Sequence, residues 1–226
     1  MTLHMKKETA RLKSKVLKLC SMVEENVRKS VDAVSNLDID LAIKVKERDD
    51  DIDSMEVELE EECLKILALY QPVANDLRYV IACLKMNNDL ERIGDLAVNI
   101  AKRAIEIAKY SDEDIVLDFY PLMEKTQAML KKSLDSLVEM NDDLAIEVLT
   151  ADDEIDKINK KNQSEIMELI KKNPEKVAYY LQLLSVSRHL ERIADYASNI
   201  AEDVIYMVTG RIIRHGHEPI MEKDQK

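Results

Sequence analysis

Two stretches decide the fold: LERIGDLAVNIAKRA, Leu90 to Ala104, and LERIADYASNIAEDV, Leu190 to Val204, which agree at 9 of 15 positions at an offset of 100 residues. Upstream, DLAIKVKERDDDID (Asp40 to Asp53) and DLAIEVLTADDEID (Asp143 to Asp156) agree at 9 of 14 positions at an offset of 103. Two separated matches in the same order define a tandem duplication. The slip between the offsets falls near Tyr70 to Asp76 and its counterpart around Asn173 and Pro174, as expected for a loop.

The periodicity inside each copy is helical. At 100° per residue, Ile52, Met55, Leu59, Cys63, Ile66 and Tyr70 share one narrow stripe, as do Leu90, Ile93, Ala97, Ile100 and Ala104. None of the four prolines, Pro72, Pro121, Pro174 and Pro219, interrupts a periodic segment. The expected helices are 9–35, 38–70 and 73–109, then 117–140, 142–172 and 175–208. The fold class is all-α: two tandem antiparallel three-helix bundles, six helices in all. Residues 1–112 form the first bundle, 113–210 the second and 211–226 a polar tail.

Composition agrees. Of 226 residues, 46% are hydrophobic and 35% charged, with only 3 glycines and 4 prolines, which leaves little turn chemistry for hairpins, phosphate loops or dinucleotide fingerprints. The formal net charge of −12 repels nucleic acid and anionic lipid. The charged start MTLHMKKETARLK has no signal-peptide core, and no apolar run approaches the ~20 residues of a membrane helix. Cys20, Cys63 and Cys83 fit neither a disulfide framework nor a metal knuckle and read as core residues of a protein from the reducing cytoplasm.

Four acidic pairs carry the chemistry. Asp49 and Asp53, Glu91 and Asp95, Asp152 and Asp156, and Glu191 and Asp195 each read acid-x-x-x-Asp, one turn apart on one helix face. Glu91, Asp95 and Asn99 lie about 160° from the apolar stripe of their helix, and Asp49 and Asp53 about 100° from the centre of theirs. Neighbouring second and third helices would bring two pairs to one surface groove. Two carboxylates about 6 Å apart repel by roughly 0.7 kcal/mol in water and about 3 kcal/mol at an effective dielectric of 20. A bound cation removes that penalty, and an all-oxygen donor set suits Mg, Mn, Ca or iron. The alternative is a solvated face in which Arg92 and Arg192 make surface ion pairs with Asp95 and Asp195. The acids of DDDID and DDEID would also favour a helix N-terminus if the long helix began there.

Other chemistry has less support. A buried di-iron site of ferritin type needs Glu-x-x-His, but Gly94 and Ala194 follow Glu91 and Glu191 at that spacing. His189 has no histidine at its place in the other copy and reads as a generic polar position. No serine or cysteine has a His/Asp partner in sequence context, so covalent catalysis lacks a basis.

YQPVANDLRYVIACLKMNNDLERIGDLAVNIAKRA (Tyr70 to Ala104) and HLERIADYASNIAEDVIYMVTGRIIRH (His189 to His215) resemble the PhoU family, accessory and regulatory proteins of bacterial and archaeal phosphate uptake. The resemblance covers nearly the whole chain. It implies a cytoplasmic six-helix protein, expected as a homodimer, that is not an enzyme. Such a protein would act as a negative regulator linking the phosphate ABC transporter ATPase to a two-component sensor kinase, reaching the membrane only through partners. It also implies divalent or trivalent metal ions (Fe, Mg or Mn) at surface carboxylate clusters. The ligands would be Glu91, Asp95, Asn99, Glu191, Asp195 and Asn199, faced by Asp49, Asp53, Asp152 and Asp156. The second copy has Pro174-Glu-Lys-Val-Ala where the first has Gln71-Pro-Val-Ala-Asn-Asp-Leu-Arg, so any role of Asp76 and Arg78 exists in one half only. Two other readings remain at this point: a metal-dependent phosphate-ester hydrolase, and a purely structural helical scaffold.

Overall fold

The chain was analysed as a computed structural model that describes residues 3–110 and 120–213. All its regular elements are helices: α1 Leu3–Asn36, α2 Ile39–Glu47, α3 Asp49–Tyr70, α4 Ala74–Ile107, α5 Tyr120–Glu139, α6 Asp142–Lys172 and α7 Val177–Thr209. Short 3₁₀ turns follow α4 and precede α7. Residues 117–119 of the fourth expected helix, and all of the tail beyond Ile213, lie outside the described residues. No helix among the described residues is long and apolar enough to cross a membrane.

The duplication is visible in the local chemistry of the turns. Asp38 caps α2 by accepting a hydrogen bond from the Leu41 amide at 2.9 Å, and Asn141 caps α6 by accepting one from Leu144 at 3.2 Å. The residues before them, Leu37 (φ 51°) and Met140 (φ 52°), are both left-handed, so the same strained turn reverses the chain in each copy.

The second helices of the two copies differ. The expected single helix 38–70 is interrupted at Arg48, where α3 begins with Asp49, Asp50 and Asp51 in its first turn. Arg48 itself remains right-handed helical (φ −79°, ψ −10°), so α2 and α3 form one rod with a local defect and the six-helix architecture stands. The Arg48 guanidinium reaches across to Glu25 on α1 at 2.9 Å. Its counterpart is the small Ala151, and there α6 runs unbroken from Asp142 to Lys172.

α4 packs along α7, and each is also covered by its own bundle, α4 by α1 and the α2–α3 rod, α7 by α5 and α6. Lys85 reaches Asp203 at 3.4 Å and Arg103 reaches Gln182 at 2.7 Å, which makes α4 and α7 antiparallel. Their alanines, Ala97, Ala101, Ala197 and Ala201, are fully buried and permit close approach. Between α5 and α7 the hydroxyl of Ser133 donates to the carbonyl of Ala197 at 2.8 Å. The buried residues of both copies join in one contiguous apolar cluster, which also holds Cys20, Cys63 and Cys83 as free thiols.

Ile93 and Ile193 are equivalent and wholly buried. Truncating either to alanine is expected to cost about 2–5 kcal/mol of stability, and Ile→Leu at either site under about 1.5 kcal/mol. Urea unfolding measures both. A loss below about 1 kcal/mol for both alanine variants contradicts the shared core.

Candidate metal centre

The third helices have little surface to spare. Along α4 the fully apolar positions are taken up by packing, and Glu91, Asp95 and Asn99 occupy a half-buried polar strip facing the start of α3. On α7 the equivalent strip faces α6, with Glu191 half-buried and Asp195 and Asn199 more exposed. The approach of α3 to α4 is tightest at Gly94, where an added methyl would lie 3.2 Å from Ile52 Cγ2 and 3.8 Å from Asp49 Oδ1. A glycine here lets the helices close and sets the Asp49 carboxylate against the α4 backbone.

The four expected pairs meet two by two. Asp49 and Asp53 face Asp95 across the α3–α4 seam, and Glu91 feels both Asp95 and Asp53. Asp195 and Glu191 feel Asp152 and Asp156 across the α6–α7 seam. Burial, reinforced by the repulsion of Asp53 and Asp95, pushes Asp49 up to about 6, with Lys102 opposing. Desolvation, then Glu191, Asp152 and Asp156, pushes Asp195 to about 6 as well, although the residue reaches the surface. Asp53, Glu91, Asp152 and Glu191 are all raised, desolvation first and neighbouring carboxylates after it.

Counter-charges neutralise part of each cluster. Arg92 pairs with Asp95 at 3.3 Å and with Glu91 at 3.5 Å, so the surface ion pair anticipated for the first copy exists. In the second copy Lys160, not Arg192, makes the pair, reaching Asp156 at 3.1 Å. Asn99 and Asn199 make no hydrogen bond to these acids among the described residues. Nor are three of His, Cys, Asp and Glu drawn together tightly enough there to hold a metal ion.

The two clusters differ in a way that the acid pairs alone do not reveal. Asp152 accepts a hydrogen bond from the Ser198 hydroxyl at 3.2 Å. In the first copy Val98 stands in place of that serine, and Asp49 Oδ1 is buried without a hydrogen-bond partner. The signal is one Val/Ser mismatch among the six in the 15 aligned positions, and it acquires meaning only where the seam sets it beside a carboxylate. A buried acceptor without a donor costs about 1–3 kcal/mol, so the first cluster has the stronger demand for a positive ligand. Cross-helix amides and hydroxyls brace both seams: Asn87 donates to Glu56 Oε1 at 2.9 Å, and Ser187 donates to Asn159 Oδ1 at 2.8 Å at the equivalent place. His189 is half-buried with Nδ1 unpartnered, and desolvation, then Arg103, Arg192 and Arg188, hold it down near 4, away from both clusters in character.

The structure defines a duplicated all-α bundle with a carboxylate cluster on each second-to-third helix seam. The chain belongs to the PhoU family: the model of the PhoU domain matches residues 16–104 and 120–204, one match per repeat. It is 36% identical to the phosphate-specific transport system accessory protein PhoU homolog of Clostridium acetobutylicum, over 88% of this chain and 92% of that protein. Its fold matches the crystal structure of PhoU from Pseudomonas aeruginosa with a TM-score of 0.87 at 35% identity, covering 91% of this chain and 99% of that one. The crystal structure of the phosphate transport system regulatory protein PhoU from Streptococcus pneumoniae matches with a TM-score of 0.83 at 29% identity, over 92% and 98% of the two chains.

The raised carboxylates fix the sign of a pH effect. With ordinary values near 3.8 and folded values near 6, Asp49 and Asp195 bind protons more tightly in the folded state. Their contribution to stability is present at low pH, is lost as pH rises from about 4 to about 6, and stays lost above. Asp49→Asn and Asp195→Asn are therefore expected to raise the urea midpoint of chelator-treated protein near pH 7.5 and to bring no gain near pH 4. A midpoint lowered at pH 7.5 contradicts the electrostatics described.

Proposed function

We propose that the chain is an accessory protein of phosphate uptake that acts by docking and carries out no turnover. The observation that carries this reading is the match to phosphate transport accessory proteins along both repeats and nearly the full length. In this reading the protein is cytoplasmic, assembles as a homodimer and binds the ATPase of the phosphate ABC transporter and a two-component sensor kinase. By favouring one signalling state it restrains uptake and the starvation response. Its net charge of −12 suits basic partner surfaces and disfavours nucleic acid.

The clusters fit a hard cation in charge and donor type. Each offers two carboxylate pairs from two helices with an asparagine one turn on, and the first contains the orphaned Asp49 Oδ1. Asp49, Asp53, Glu91, Asp95 and Asn99 would hold an ion on one seam, and Asp152, Asp156, Glu191, Asp195 and Asn199 on the other. Mg, Mn or Fe there would supply positive charge that cancels the carboxylate repulsion. What the chain's own residues do is hold two acidic helix faces in register, so that their charge state sets how a neighbouring surface docks. A phosphate-ester hydrolase needs a substrate pocket beside its metals. The clefts between α1 and α5 and between α5 and α6 include none of these ten residues.

Two measurements test the reading. Glu91→Gln, Asp95→Asn, Glu191→Gln and Asp195→Asn together are expected to abolish stoichiometric metal in purified protein by elemental analysis; unchanged metal content sinks the ligand assignment. Co-purification of the wild-type chain with the transporter ATPase and the sensor kinase, at high and low phosphate, is expected to recover both. Recovery of neither undercuts the adaptor.

A further inference from the structure

The packing of α4 along α7 sets side by side positions that the duplication makes equivalent at the offset of 100. In one half of this contact Lys85 reaches the buried Asp203 at 3.4 Å and lies over the Tyr206 ring at 5.4 Å. A cation of the first repeat is thus answered by an acid of the second. Exchanging the repeats carries that pair onto Ser185 and Arg103. There the acid has become a guanidinium, and its partner is a neutral hydroxyl that donates to the Leu181 carbonyl at 2.8 Å. His189 likewise stands in place of Asp89, and Arg188 in place of Asn88.

The second half therefore gathers positive charge without an acid to close it. Arg103 donates to the neutral Gln182 Oε1 at 2.7 Å, and its Nε is buried without an acceptor. Gln182, Ser185, His189 and Arg192 share one face of α7, with Arg188 one turn before Arg192. Arg103, Arg192 and Arg188 are the charges that act on His189, whose Nδ1 is also buried without a partner. None of the three arginines makes an ion pair among the described residues. On the flank toward α6, Arg188 and Arg192 act on Glu191, and Arg192 on Asp195, without pairing with either. Like charges gathered in this way repel one another, and an anion between them removes the repulsion.

We propose that this face of α4 and α7 binds a tetrahedral oxyanion of phosphate type, held by Arg103, Arg188 and Arg192. A guanidinium presents a rigid fork of donors that matches phosphate oxygens bidentately. Three such forks call for an acceptor with more oxygens and more charge than a single carboxylate. The oxyanion takes the place that Asp203 fills beside Lys85 in the other half. Its donors are cations, so the site is distinct in chemistry from the two carboxylate seams, and it stands apart from the accessory-protein reading.

The test is isothermal titration calorimetry of inorganic phosphate into the full-length chain, freed of metal by chelator, at physiological salt and neutral pH. The wild-type chain is expected to bind with a Kd below about 1 mM. Arg103→Gln with Arg188→Gln is expected to weaken binding at least about tenfold. Gln182→Glu is expected to do the same, because it gives Arg103 the carboxylate that Lys85 already has. It keeps all three arginines, so it tests the site even where the double variant fails to fold, which far-UV circular dichroism shows. Arg92→Gln is the control: it lies at the equivalent of Arg192 but is paired with Glu91 and Asp95, and it is expected to change nothing. Equal loss in this control overturns the proposal in favour of diffuse charge attraction. A wild-type Kd above about 1 mM overturns it, and so does acetate that binds as tightly as phosphate. Phenyl phosphate separates the two sources of the group. Binding tighter than the free ion assigns the site to a phosphate ester, and equal or weaker binding assigns it to inorganic phosphate. Neither metal nor partner protein enters this experiment, so its failure leaves the adaptor reading to the co-purification described above.

Discussion

The antiparallel packing of α4 along α7 is the constraint on which the remainder depends. Each of these helices is covered on one side by its counterpart and on others by its own bundle, so much of its middle is committed to the core. Charge on such a helix is left to its exposed edge, where Arg92 and Arg192 stand, and to one strip beside the second helix. On α4 that strip carries Glu91, Asp95 and Asn99, on α7 Glu191, Asp195 and Asn199, and each strip opens onto the second helix of its own repeat. The second helices bring acids of their own to the same seam. The clusters sit where the buried faces of α4 and α7 give way to the second helix of each repeat.

That arrangement is costly for the bare protein. Burial and mutual repulsion raise most of the carboxylates, Asp49 and Asp195 as far as about 6. Arg92 and Lys160 offset part of the repulsion at the rim. They leave the Asp49 carboxylate, set against Gly94, without a donor. The fold keeps two such clusters in equivalent places and carries the repulsion of close carboxylates at both.

Much of the fold was legible in the chain because duplication makes the signal redundant. A match such as LERIGDLAVNIA to LERIADYASNIA reports periodicity, burial and order of elements twice over, and the helices between Leu3 and Thr209 follow from it to within a few residues apart from their starts. The break at Arg48 was not legible, because the apolar stripe and the match to the unbroken second copy continue across it. The convergence of the acid pairs was conditional on which helices are neighbours, and the packing of α3 on α4 and α6 on α7 supplies that condition. The inequality of the two clusters came from Val98 against Ser198, a substitution that looks neutral until the seam places it beside a carboxylate. The cleft between α1 and α5 was invisible for the same reason: it exists only once two repeats are set against each other.

The central claim is that the two seams are equivalent sites for a hard cation, held in register by the α4–α7 core. Anomalous diffraction from crystals of the wild-type chain grown with manganese tests it most directly. The account predicts anomalous peaks at both seams, beside Asp49 and Asp95 on one and Asp152 and Asp195 on the other, with the first occupied at the lower manganese concentration because of its orphaned carboxylate oxygen. Peaks confined to other surfaces, with both seams empty at saturating manganese, would contradict it.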